Sequence, residues 1–125
     1  MRVLLLIKGD PDPGAAPSDA LLAAMGRYND ELERAGVLLD LAGLLPSAEG
    51  RLVKFSGGQR SVVKGPFGEP KQLIAGYWVL RVASMDEAVE WAERFPFEAF
   101  SRVYPGAYGA EVELELRQVF DPPES

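Results

Sequence analysis

The chain contains no cysteine and no histidine. Without cysteine there is no disulfide, no thiolate metal site and no thiol nucleophile. Without histidine the commonest general base and the commonest transition-metal ligand are missing, and with them every serine–histidine triad. Acid–base chemistry would fall to carboxylates, lysine or tyrosine with shifted pKa values. No apolar run reaches the length of a membrane span. The opening run Val3-Leu4-Leu5-Leu6-Ile7 meets Lys8-Gly9-Asp10 at once and has no cleavage site, so it reads as a buried strand and not as a secretory signal. Positive charge is also scarce. Thirteen Lys and Arg against nineteen Asp and Glu leave a net charge of −6 and a pI of about 4.7. An acidic chain with no evident basic cluster argues against nucleic acid and against anionic membranes as partners. With no Gly-rich phosphate loop, nucleophile elbow, HExxH or calcium-loop spacing, no cofactor and no metal are expected. The lack of cysteine fits a cytoplasmic protein.

What is present suits a single globular domain. The 125 residues are 47% hydrophobic and 26% charged, enough to bury one core without staples. Residues 1–120 are expected to form that domain, and 121–125 a frayed polar tail. Arg2–Lys8 reads as a central strand, apolar on both faces. A proline-rich loop follows, and Ser18 caps a helix whose apolar face is Leu21, Met25, Tyr28 and Leu32. Gly36 ends that helix. Val37–Leu45 is a second strand or strand-like connection. Arg51–Ser56 and Gln59–Val63 flank Gly57-Gly58 as a hairpin, with Val53 opposite Val62 and Phe55 opposite Arg60. Ile74–Val82 is rich in aromatic and β-branched residues and reads as a long buried strand. Ser84 with Glu87 three residues later is a capping box that opens a second helix, buried through Met85, Ala88, Ala92 and Phe95. Phe97–Tyr104 adds a short extra turn. Glu111–Arg117 alternates strictly, as a half-buried strand does.

The order β-α-β-(hairpin)-β-α-β predicts an α+β fold: a ferredoxin-like βαββαβ antiparallel sheet with an inserted hairpin and both helices on one face. The uncovered face needs a partner, and a second copy related by two-fold symmetry is the simplest one.

The candidate site lies where a Gly/Pro-punctuated loop enters the long strand. Lys64, Glu69, Lys71 and Gln72 offer polar groups to a small ligand, Phe67 an apolar wall, and Gly65 a close backbone approach. Tyr77 and Arg81 share one strand face, where they offer a donor and a carboxylate anchor in a cleft between subunits. The bland alternatives are a turn shaped by Gly65-Pro66 with Phe67 plugging the core, and Tyr77 and Arg81 as packing and ion-pairing residues. Glu111, Glu113 and Glu115 lie about 7 Å apart along one face, more in keeping with a charged edge strand than with a cation site.

The stretch Gly65-Pro66-Phe67-Gly68-Glu69-Pro70-Lys71-Gln72-Leu73-Ile74-Ala75-Gly76-Tyr77-Trp78 resembles the signature of the YCII-related, or DGPF, domain family. Leu4–Asp10 is similar to that family's first strand, Tyr28–Leu38 to its first helix and following turn, and Ser84–Trp91 to its second helix. The resemblance implies a homodimer joined through its sheets, in the manner of dimeric α+β barrels. Some relatives carry a His–Asp pair in a cleft, and one is a dehydrochlorinase. Here there is no histidine, Phe95-Pro96 stands where such relatives have Asp-Pro, and Lys64 replaces the usual Asp. The expectation is a domain that binds a small organic molecule between the sheet and the Gly-Pro-Phe loop. The alternatives are an enzyme of lyase or hydrolase type acting on a phenolic or carbonyl compound, and a non-catalytic accessory to sigma-factor-dependent transcription.

Overall fold

The computed structural model describes residues 1–11, 18–69, 72–103 and 112–122. In chain order the elements are β1 (Arg2–Lys8), α1 (Asp19–Arg34), β2 (Leu38–Gly43), a 3-10 turn (Ser47–Glu49), β3 (Arg51–Ser56), β4 (Gln59–Lys64), β5 (Ile74–Arg81), α2 (Met85–Glu93), α3 (Phe97–Val103) and β6 (Leu114–Gln118).

Four strands form one antiparallel sheet in the order β2-β5-β1-β6. With the hairpin β3–β4 set aside as its own two-stranded sheet, this is the ferredoxin-like order expected from the sequence. Period-two alternation sorts the side chains. Val3, Leu5 and Ile7 of β1, Trp78 and Leu80 of β5, and Leu114 and Leu116 of β6 join the core with Leu21, Tyr28 and Leu32 of α1, Ala88 of α2, and Phe95 and Phe100. Inside it Tyr28, Trp78 and Phe95 meet edge to face, with centroids 5.5–6.0 Å apart. The Tyr28 hydroxyl donates to the Trp91 carbonyl at 2.8 Å, and the Trp78 indole N–H to Asn29 Oδ1 at 2.8 Å, so neither buried ring carries an unpaired polar atom.

The helix signals work as expected, with one difference. Ser18 Oγ accepts from the Leu21 N–H. Gly36, at φ +75°, closes a Schellman motif in which its N–H donates to Glu33 and that of Val37 to Leu32. Ser84 Oγ accepts from the Glu87 N–H, but the Glu87 carboxylate takes its return bond from the Ala83 N–H, one residue before the cap. The extra turn after Pro96 is the helix α3.

The second face of the sheet is open. Two rows cross it: Asp40, Val79, Leu4 and Arg117, then Ala42, Tyr77, Leu6 and Glu115. The centre of each row is apolar and half-buried or better, and charge sits at the sheet's edges. Lys8 lies 3.7 Å from Glu115, which also pairs with Arg117 at 3.3 Å. Glu115 thus lies within the edge strand β6 and Glu113 just before it, while Glu111 lies outside the described residues.

The hairpin has the predicted register, Val53 opposite Val62 and Phe55 opposite Arg60, about a turn at Gly57 and Gly58, both with positive φ. It gathers Arg51, Lys54, Arg60 and Lys64 on one short element, a clustering of cations that the acidic total conceals.

Candidate functional site

β2 and β5 are neighbours in the sheet, yet the chain between them runs from Leu44 to Leu73. β2 ends at Gly43, and the Leu44 N–H still donates to the Ala75 carbonyl of β5 at 2.8 Å. Beyond it come Pro46 and the 3-10 turn, which polar ties hold in place. Asp10, just past the end of β1, accepts from the Ser47 N–H at 2.7 Å with one carboxylate oxygen and from Ser47 Oγ at 2.6 Å with the other. Gly9, ahead of Asp10, donates its N–H to the Leu73 carbonyl at 2.9 Å and so ties β1 to the entry of β5.

The Gly-Pro-Phe loop closes onto this turn. The Gly65–Pro66 bond is cis, and the Gly65 N–H donates to the Gly50 carbonyl at 3.2 Å. A Cβ on Gly65 would stand 1.6 Å from the Ser47 carbonyl oxygen, so only glycine permits this approach. Phe67 then lies against Gly50, where a Cβ would come within 3.3 Å of its ring. Gly68, at φ +77°, turns the chain, and Glu69 and Gln72 clasp each other: the Glu69 N–H donates to Gln72 Oε1 at 3.2 Å and the Gln72 N–H to the Glu69 carbonyl at 2.8 Å.

Between these segments is an open groove of about 520 Å³. Leu44, Leu45, Pro46, Phe67, Leu73 and Ile74 give it apolar walls, and Asp10, Ser47, Glu49 and Gln72 its polar groups. Leu45, 74% exposed, stands at its rim. Among the described residues no Lys or Arg lines it.

The described residues among those expected at the site divide into three groups. Phe67 and Gln72 line the groove. Lys64, exposed at the end of β4 opposite Arg51, and Glu69, exposed in the loop turn, do not. Tyr77 and Arg81 sit on the open sheet face, where Tyr77 pairs with Leu6 and Ala42, and Arg81 with Arg2. Lys71 lies outside the described residues. Asp10, Ser47, Glu49, Leu44 and Leu45 were not anticipated. Their neighbourhood in the sequence is marked only by the stop of the apolar strand at Lys8-Gly9-Asp10 and the Pro46-Ser47 punctuation, which name no partner.

Comparison with known families joins this geometry to a group of proteins. The YCII-related domain matches residues 1–104, most of the chain and all of the groove. The chain belongs to the YCII-related domain family. Within it, the Gly-Pro-Phe signature of this YCII-related chain is the segment packed on Ser47 and Gly50. The chain is also similar to a Rhizobium meliloti (strain 1021) protein, "Uncharacterized protein R00369", at 36% identity over 58 residues. That match spans 46% of this chain and about half of the relative, 47%. No helix among the described residues is long and apolar enough to cross a membrane.

Proposed function

We propose that this YCII-related domain binds a small organic molecule in the groove between the 44–50 segment, Phe67 and the entry of β5. The carrying observation is a concave site of about 520 Å³ with leucine, proline and phenylalanine walls and polar groups at one side, the usual make-up of a ligand pocket. Because Asp10 and Glu49 are its charged groups among the described residues, it favours a neutral or cationic ligand with an apolar body over an anion. Phenols and aromatic amines fit that description. Two-dimensional NMR with a panel of phenols, aromatic amines and carboxylic acids tests the proposal. The first two should shift the amides of Gly50, Leu73 and Ile74, the acids should not, and Leu45→Arg should abolish the shifts. Failure of every phenol and amine, or binding that survives Leu45→Arg, refutes it.

The domain pairs with a second copy through its open sheet face. Support comes from the apolar centre, Leu4, Leu6, Tyr77 and Val79, and from the opposite charges of Asp40 and Arg117 at the two ends of one row. A two-fold axis along the strands lays Asp40 over the partner's Arg117. Asp40→Lys or Arg117→Asp alone should weaken the dimer in sedimentation velocity, and the double swap should restore it. A protein that remains a monomer, or singles without effect, refutes this contact.

A further inference from the structure

Among the described residues, the β3–β4 hairpin adds nothing to the buried core. A two-stranded hairpin is marginal by itself in water. Every residue of β3 is exposed, and every residue of β4 except Val63. None of the chain's buried residues comes from it. Its register nevertheless builds a coherent surface. Directly opposed residues share a face, so Val53, Val62 and Phe55 lie together, 51%, 66% and 71% exposed, with Arg51, Arg60 and Lys64 around them. Arg60 stands over the Phe55 ring at 5.6 Å. An apolar stripe edged by cations on a projecting ribbon has the form of a docking surface.

Charge selects the occupant. Residues 51–64 hold four of the thirteen Lys and Arg and no acid, so the hairpin carries +4 and the remainder of the chain −10. Hairpin against hairpin would bring like charges together. Hairpin against the body of a second copy, where nineteen acids face nine cations, brings opposite charges together. We propose that the hairpin is an arm that docks on the acidic body of a second copy of this chain, each copy's arm reaching the other. The inference rests on the self-association proposed above and is independent of any ligand in the groove.

The arm can be removed cleanly, because its base is already closed by the Gly65 N–H bond to the Gly50 carbonyl. Replacing 51–64 with a short glycine linker should leave the far-UV and near-UV circular dichroism of the folded body in place. In sedimentation velocity it should weaken self-association at least about tenfold, and Phe55→Ser with Val62→Thr in the full chain should do so to a similar degree. Raising NaCl from about 0.05 to about 0.5 M should also weaken the wild-type dimer, as screening of an arm–body attraction requires. Because the chain is free of cysteine, Ser56→Cys places one spin label near the arm's tip. Broadening of amides on an isotope-labelled, spin-free copy should then fall on acidic stretches of the body. The inference is overturned by a wild-type monomer, by a dimer unchanged after arm replacement, or by absence of intermolecular broadening. It is equally overturned if the arm captures a single- or double-stranded oligonucleotide while the chain stays monomeric. A dimer that ignores arm replacement but yields to Asp40→Lys would leave the sheet-face pairing standing and remove the arm alone.

Discussion

Gly65→Ala should pry the signature loop from the turn beneath it. The new methyl would sit 1.6 Å from the Ser47 carbonyl oxygen, 2.6 Å from its carbonyl carbon and 3.2 Å from Ala48 Cα. All three are backbone atoms, which cannot rotate away as a side-chain tip can. Ordinary contact needs about 3.5 Å, so loop and turn must part by roughly 2 Å. That parting breaks the 3.2 Å bond from the Gly65 N–H to the Gly50 carbonyl. Overpacking costs about 1–3 kcal/mol and the lost bond about 1 kcal/mol, so roughly 2–4 kcal/mol is expected in all. For a domain of this size that lowers Tm by roughly 6–20 °C. Thermal unfolding followed by circular dichroism reads the cost, and amide exchange at Gly50 and Gly65 reads the local opening. Gly26→Ala is the matched control: a Cβ there meets nothing within 4 Å, and the site is an exposed position inside α1. It should stabilise by about 0.5–1 kcal/mol. A Gly65→Ala protein with Tm and exchange at both amides unchanged would show that the loop does not rest on Ser47 as described.

Asp10→Ala removes both ties to Ser47 and should cost about 2 kcal/mol in urea unfolding, with Asp10→Asn losing less because one acceptor remains. Asn29→Ala strands the buried indole N–H of Trp78 and should cost about 1–3 kcal/mol by the same measurement. Tyr28 supplies a pH signature. Burial first, and the negative charge of Glu31 second, push its pKa above the ordinary 10.0, while Arg94 pulls the other way. Its contribution is therefore complete below pH 10 and is lost above it, as the unfolded chain ionises first. The stability gap between wild type and Tyr28→Phe should narrow above that pH by up to about 1.4 kcal/mol per unit, and a constant gap would refute the assignment.

Local chemistry made much of the fold legible in the sequence. Ser18, Gly36 and the Ser84/Glu87 pair mark helix ends by bonds within a few residues, and Gly57-Gly58 sets a hairpin register by turn geometry alone. The β6 alternation names its own faces. The lining of the groove is legible only where it, too, is local: Phe67 and Gln72 lie in a loop that announces itself by Gly and Pro. Asp10 and Ser47 are not legible, because their bond joins positions 37 apart, and nothing near either residue encodes the other. Tyr77 and Arg81 share one strand face by period two, and the register places that face on the open side, with Tyr77 opposite Leu6 and Ala42. Leu44 and Leu45 read as the end of a strand because apolarity does not distinguish a sheet residue from a groove wall.

The segment from Leu44 to Leu73 holds most of the proposed binding groove and the proposed arm. Antiparallel neighbours such as β2 and β5 need only a two-residue turn, and connections of this length in a small domain are usually functional. Among the described residues the segment supplies no member of the buried core, which passes directly from Val37 to Ala75. It instead supplies most of the groove and the whole hairpin. The Leu44 N–H already donates to the Ala75 carbonyl at 2.8 Å, one pair beyond Gly43 and Gly76, so the strands are aligned to be joined close by. Replacing 46–73 with Asn-Gly should therefore give a folded chain with the near-UV signature of the Tyr28–Trp78–Phe95 cluster intact. Its loss should be roughly 2–4 kcal/mol, chiefly the Asp10 and Gly9 ties. Ligand binding and arm docking should vanish together. An excised chain without that near-UV signal would mean that the insertion stabilises the core it never enters, and stability would then account for the length of this connection as well as function does.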